Sequence, residues 1–128
     1  MKILLDTHIL LWAAADTLPP EAAFYIKNIE NTLLFSPASM WEVVIKRGTR
    51  RADFIVDPAS LYNGLLDSGY EELPITGRHS LLVPTLPPLH KDPFDRILLA
   101  QAVFEGVPLL TADKVLSKYP VSLIYVGT

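Results

Sequence analysis

Five carboxylates occupy positions at which an α/β chain gathers chemistry. Asp6 directly follows the apolar run 3–5. Thr111 and Asp113 directly follow the run 107–110. Glu42 lies about a turn and a half into a helix that opens at Ser36-Pro37. Asp92 and Asp95 open the helix that leads into the run 107–110. In an open α/β sheet, ligands sit beyond the carboxyl ends of the strands, so acids immediately after strands share one edge. Several acids on one edge make a hard-cation site, since carboxylate oxygens suit Mg²⁺ or Mn²⁺. Without an ion such a cluster repels itself, and at least one member should have a raised pKa. Two ions about 4 Å apart activate a water and stabilise the leaving oxygen of a phosphodiester.

Each acid also has a purely structural reading. Asp92 serves as an N-cap before Pro93, and Asp95 as the N3 member of a capping box. Asp113 caps a short final helix, and for Asp6 a cap is the sole structural alternative. Glu42 and Lys46 form an i,i+4 pair worth roughly 0.3–0.5 kcal/mol on a surface. Against that reading, Trp41, Val44 and Ile45 are expected to bury the helix and set Glu42 beside the core face. Ser39, Glu42 and Lys46 share one stripe by their spacing. His8 and His90 are available as ligands or bases, with simple packing the plainer reading. Trp12, Phe24 and Tyr25 are read as core. Lys46, Arg47, Arg50 and Arg51 flank Gly48 as either a solvated loop or a set of phosphate contacts, and Arg96 is a further phosphate contact.

The elements that must position these groups alternate. Strands are expected at 3–5, 33–35, 71–73, 107–110 and 122–126. Helices are expected at 8–14, from Pro19-Pro20 to about residue 28, and from Pro37 to about 47 with a stop at Gly48. A further helix runs from Pro58 to near Gly69, and another from Pro93 to Gly106. The proline-rich stretch through Pro84, Pro87 and Pro88 reads as helix, then loop. Pro108 sits awkwardly in its strand. Alternating strands and helices argue for an α/β fold with a mostly parallel sheet. The helix opening at Asp92 runs antiparallel to the strands, so its first turn is expected to reach the acidic edge by arching over through His90-Lys91.

Composition sets the bounds. The chain of 128 residues, half apolar and a fifth charged, is expected to form one domain over 1–128, with a radius of gyration of roughly 14 Å. Intrinsic disorder is excluded by that composition. Eleven Lys and Arg against fourteen Asp and Glu leave a net charge of −3, so nucleic-acid contact needs a local patch or a metal. The absence of cysteine removes disulfides, thiolate metal sites and cysteine nucleophiles. No early stretch is long enough to span a bilayer, and Asp6 breaks any signal-peptide reading, so a soluble cytoplasmic protein is expected. A mean hydropathy of +0.29 is high for a small chain and leaves apolar surface for a partner, with the helices around Phe24 and Tyr25 and 58–66 as candidate surfaces.

Four stretches together resemble one family. Leu4-Leu5-Asp6-Thr7-His8 resembles the opening of PIN-domain nucleases. Ser36-Pro37-Ala38-Ser39-Met40-Trp41-Glu42-Val43 resembles their second motif. His90-Lys91-Asp92-Pro93-Phe94-Asp95-Arg96, followed by Leu99-Ala100-Gln101-Ala102, resembles the third, and Leu110-Thr111-Ala112-Asp113 the fourth. They occur in order across nearly the whole chain, which looks like a VapC-type toxin of a toxin–antitoxin pair. The resemblance implies a three-layer α/β/α domain with a five-stranded, mostly parallel sheet. It also implies Mg²⁺- or Mn²⁺-dependent endoribonuclease activity, an antitoxin partner and a homodimer. Asp6, Glu42, Asp95 and Asp113 take the acidic positions, with Asp95 rather than Asp92 in the third. Thr7 and Thr111 fall where the family keeps hydroxyls near the metals, and Ser39 and Asp92 lie beside them. Lys46, Arg47 and Arg96 would contact RNA.

Two rival functions remain. One is a PIN-like module that binds RNA or a protein without cutting; the presence of all four acids argues against it. The other is a phosphatase of the haloacid dehalogenase type, which also places an aspartate after its first strand. That chemistry needs a second aspartate two residues on, and this chain has His8.

Overall fold

The computed structural model describes residues 1–49 and 55–127. Arg50 and Arg51 of the basic cluster lie outside the described residues. Five strands form one parallel sheet: β1 (Lys2–Leu5), β2 (Thr32–Phe35), β3 (Glu71–Glu72), β4 (Leu109–Thr111) and β5 (Leu123–Tyr125). Their spatial order is β3-β2-β1-β4-β5. The helices are α1 (Thr7–Ala14), α2 (Pro20–Ile26), α3 (Pro37–Gly48), α4 (Pro58–Asp67), α5 (Gly77–Leu82) and α6 (Pro93–Glu105). Short 3₁₀ turns occupy Val83–Thr85 and Leu116–Lys118.

The period-2 geometry of the strands divides the core into two layers. Ile3, Leu5, Leu33, Phe35 and Leu110 face one side and pack with residues of α1 to α4. Leu4, Leu34 and Leu109 face the other and pack with Leu98, Leu99 and Ala102 of α6 and Leu116. Both faces of β1 are covered, so it reads as a continuous apolar run rather than an alternating one. The connection β1 to β2 to β3 moves one way along the sheet, and the return to β4 and β5 moves the other way. With crossovers of one hand, that reversal puts the two helix sets on opposite faces. The result is a three-layer α/β/α sandwich.

The reversal falls between β1 and β4, which pair Leu4 with Leu109 and Leu5 with Leu110. Crevices at such switch points open at the carboxyl ends of the strands. Local signals set the helix starts: Ser36 Oγ accepts from Ala38 N at 3.1 Å at the head of α3, and Asp57 Oδ2 accepts from Ser60 N at 2.9 Å at the head of α4. Gly106 ends α6 at φ 68°, a left-handed turn that glycine adopts without strain. Leu4 N donates to Pro108 O at 3.0 Å, so the sheet uses the one polar backbone group that proline keeps. No described helix is long and apolar enough to cross a membrane.

Three expectations need correction. The first turn of α6 reaches the acidic edge without arching. β3 and β4 are parallel, so the helix between them returns antiparallel and begins at the carboxyl edge itself. Second, Phe24 is 70% exposed rather than core, whereas Trp12 and Tyr25, half-buried, do pack against the core as expected. Helix α2 turns Ala22, Tyr25 and Ile26 inward by i,i+3,i+4 spacing, which leaves Phe24 outside. Third, Trp41 (58% exposed), Val44 and Ile45 do not bury α3. Its buried residues are Ala38, Ser39, Glu42 and Val43.

Candidate active site

A cleft of about 450 Å³ opens at the switch point, with Asp6, Glu42, Asp92, Asp95 and Asp113 among its lining residues, together with Lys46 and His90. Asp6 is placed by the sheet. Its backbone N–H donates to Leu110 O at 3.1 Å, which binds the end of β1 to β4. Its Oδ1 accepts from Ile9 N at 3.0 Å, capping α1, and its Oδ2 accepts from the Thr111 hydroxyl. The buried Thr111 Oγ1 in turn accepts from Asp113 N at 3.0 Å. One hydroxyl thus ties the ends of β1 and β4 together. Burial raises the Asp6 pKa, opposed by the hydrogen bonds from Thr111 and Ile9.

Glu42 enters from α3 and is 3% exposed. The Thr7 hydroxyl donates to its Oε1 at 2.6 Å and lies 2.9 Å from Ser39 Oγ. Its other oxygen pairs with Lys46. This is the expected i,i+4 pair, but at the wall of a cleft rather than on an open surface, and Lys46 Nζ also lies 3.7 Å from Asp92 Oδ2. Arg47 instead makes an exposed ion pair with Asp57 at 2.8 Å, and it does not line the cleft.

Asp92 performs the capping role: its Oδ1 accepts from Phe94 N at 2.8 Å and from Asp95 N at 3.4 Å. The reciprocal half of the capping box is absent. Asp92 N donates to His90 Nδ1 at 3.2 Å, and the Asp95 carboxylate turns into the cleft, with Oδ2 3.0 Å from His90 Nε2. Asp113 Oδ1 accepts from Val115 N at 2.8 Å, and its Oδ2 lies 3.3 Å from the same His90 nitrogen. Burial, then the charges of Asp92, Glu42, Asp6 and Asp113, push the Asp95 pKa up to about 8. This is the raised member that a crowded carboxylate cluster requires.

Arg96 does not line the cleft. Its guanidinium donates to Pro87 O at 3.1 Å, Val83 O at 3.0 Å and His90 O at 3.4 Å, so it braces the loop before α6 from within. Arg96→Ala should unfold at lower urea, by about 1–2 kcal/mol, because several part-buried carbonyls lose their donor together. Wild-type stability would refute the bracing role. His90, for which simple packing is the plainer reading of the sequence, instead lines the cleft. The legible signal was its place on the loop entering α6, two residues before the cap, rather than on a helix.

The donor set is rich in oxygen: carboxylate oxygens of Asp95 and Asp113 lie within 4.8 Å of each other, with His90 Nε2 beside both. Carboxylates crowded this closely, with one held protonated near neutrality, fit a hard divalent cation.

Comparison with known proteins identifies the family and the fold. A family model described as PIN domain matches residues 3–121. The chain belongs to the PIN-domain family. Among solved structures, it is similar to a chain of VapBC2 from Rickettsia felis bound to a promoter DNA fragment, with TM-score 0.74 and 17% identity over 98% of both chains. It is also similar to a chain of DNA-bound VapBC from Salmonella typhimurium, with TM-score 0.70 and 13% identity over 98% of both. A third similar structure is VapBC-5, a toxin–antitoxin system member from Mycobacterium tuberculosis, with TM-score 0.65 and 13% identity over 99% of this chain and 98% of that one. Compared with curated proteins by sequence, the chain has no match.

Proposed function

We propose that this chain is a Mg²⁺- or Mn²⁺-dependent endoribonuclease of the VapC type, the toxin of a toxin–antitoxin pair, working as one cytoplasmic domain. The observation that carries this reading is the convergence of Asp6, Glu42, Asp95 and Asp113, from four separate elements, on one switch-point cleft. Asp6, Asp95 and Asp113 would hold the metal. When bound, it would activate water and offset charge on the scissile phosphate. Glu42, held by Thr7, orients the attacking water. Thr111 keeps Asp6 aligned with the turn that carries Asp113. Lys46 supplies positive charge at the cleft wall, and Arg47, farther out on α3, contacts the RNA backbone. These cations answer the net negative charge of the chain.

The antitoxin partner is supported by the VapBC complexes among the similar structures. A homodimer is supported by exposed apolar residues such as Phe24 on α2 and Leu66 on α4. Sedimentation at micromolar concentration should give twice the chain mass of 14.2 kDa, and a single-chain mass would remove the dimer.

The deciding experiment is RNA cleavage by the purified chain with Mg²⁺, with Mn²⁺ and with EDTA. Cutting that EDTA abolishes supports the reading. A folded chain that binds Mn²⁺ and cuts nothing would instead be a non-cleaving binding module.

A further inference from the structure

His90 is held more tightly than a merely packed histidine. Its backbone N–H donates to Tyr119 Oη at 2.9 Å, and its carbonyl accepts from Arg96. The ring is then oriented from one side by Asp92 N, which donates to Nδ1 at 3.2 Å. A neutral imidazole carries one proton, so a ring that accepts at Nδ1 must be protonated at Nε2. That nitrogen faces Asp95 Oδ2 at 3.0 Å and Asp113 Oδ2 at 3.3 Å. Its N–H therefore donates across the gap between the two carboxylates.

These are two of the oxygens that a cation in the cleft would take. An Nε2 that bears a proton has no lone pair to offer a metal, and its N–H dipole points its positive end at the same place. We propose that His90 is a stand-in for the cation: its N–H spans Asp95 and Asp113, keeps them at ligating distance while no metal is bound, and competes with the metal for them. His90 is thus a positioning residue and a competitor, not a ligand. The inference rests on the metal-binding reading of this cleft.

The test is Mn²⁺ titration calorimetry at one fixed pH on the full chain and on His90→Ala. The variant should bind Mn²⁺ about tenfold more tightly, the size of one hydrogen bond to a charged group. Unchanged or weaker binding would overturn the proposal, and weaker binding would make His90 a ligand. Should His90→Ala fail to fold, ¹⁵N spectra of histidine-labelled wild type decide the matter. The metal-free ring should be the Nε2–H tautomer, and Mg²⁺ should shift its Nε2 signal without converting the ring to Nδ1–H. An Nδ1–H ring in the metal-free chain would overturn the proposal. Wild type that binds Mn²⁺ with no gain in the variant defeats this inference alone. Absence of Mn²⁺ binding in both proteins defeats the metal-centre reading along with it.

Discussion

Asp6→Asn is expected to abolish metal-dependent RNA cleavage while the chain stays folded. The amide keeps the shape of the side chain, and its oxygen can still accept from Ile9 N, so the cap on α1 survives. What disappears is the negative charge at the end of β1, in a position that is 5% exposed. Burial already penalises that charge in the folded chain, as the raised pKa shows. A neutral amide avoids the penalty, but its NH2 takes the place of the oxygen that accepts from the Thr111 hydroxyl, so the two effects offset and the chain should stay folded with stability near that of wild type. Cleavage depends on the charge itself. A ligand to a catalytic ion supplies several kcal/mol of transition-state stabilisation, so the rate should fall by roughly a thousandfold or more. The measurement is single-turnover cleavage of a labelled RNA with Mn²⁺ in excess, beside circular dichroism and a melting curve. Wild-type cutting by the variant would place the chemistry elsewhere in the molecule.

The second large effect is on stability, through Asp95. Its pKa moves from an ordinary 3.8 to about 8 in the folded chain. The folded state therefore holds a proton that the unfolded state gives up between those values. This stabilisation is fully present below about pH 4 and is lost as pH rises toward 8, at about 1.4 kcal/mol per unit where the difference is complete. Asp6, also raised, acts in the same sense. In EDTA, the melting temperature should fall steadily from pH 5 to pH 8, and Asp95→Asn should flatten most of that slope. A divalent cation binds the ionised carboxylates, so Mg²⁺ should raise the melting temperature more at pH 8 than at pH 5. A flat profile in wild type, or an unaltered slope in Asp95→Asn, would show that Asp95 is not the strained group.

Much of this arrangement was legible in the residue order. Asp92-Pro93 and Ser36-Pro37 start their helices through local chemistry: a side-chain acceptor for orphan N–H groups, then a proline already set for the first turn. The apolar runs before Asp6 and after Gly106 mark strands buried on both faces. An acid that directly follows such a strand lies at the carboxyl edge in any parallel arrangement, so Asp6 and Asp113 were identifiable as candidates.

The direction each helix face takes was not legible. In α3, both the stripe of Trp41, Val44 and Ile45 and the stripe of Ser39, Glu42 and Val43 are coherent at a 3.6-residue period, and hydrophobicity alone favours burying the first. The folded chain buries the second, because Thr7 from α1 and Lys46 are there to satisfy Glu42. Likewise, nothing local tells Arg96 to donate to the carbonyls of Val83 and Pro87, or His90 to reach Asp113. The sequence by itself determined the elements, their caps and the identity of the acids, since those depend on neighbours a few residues apart. The tertiary structure alone decided which groups meet and which carboxylate carries the proton, because burial and like-charge repulsion exist only once distant segments are packed together.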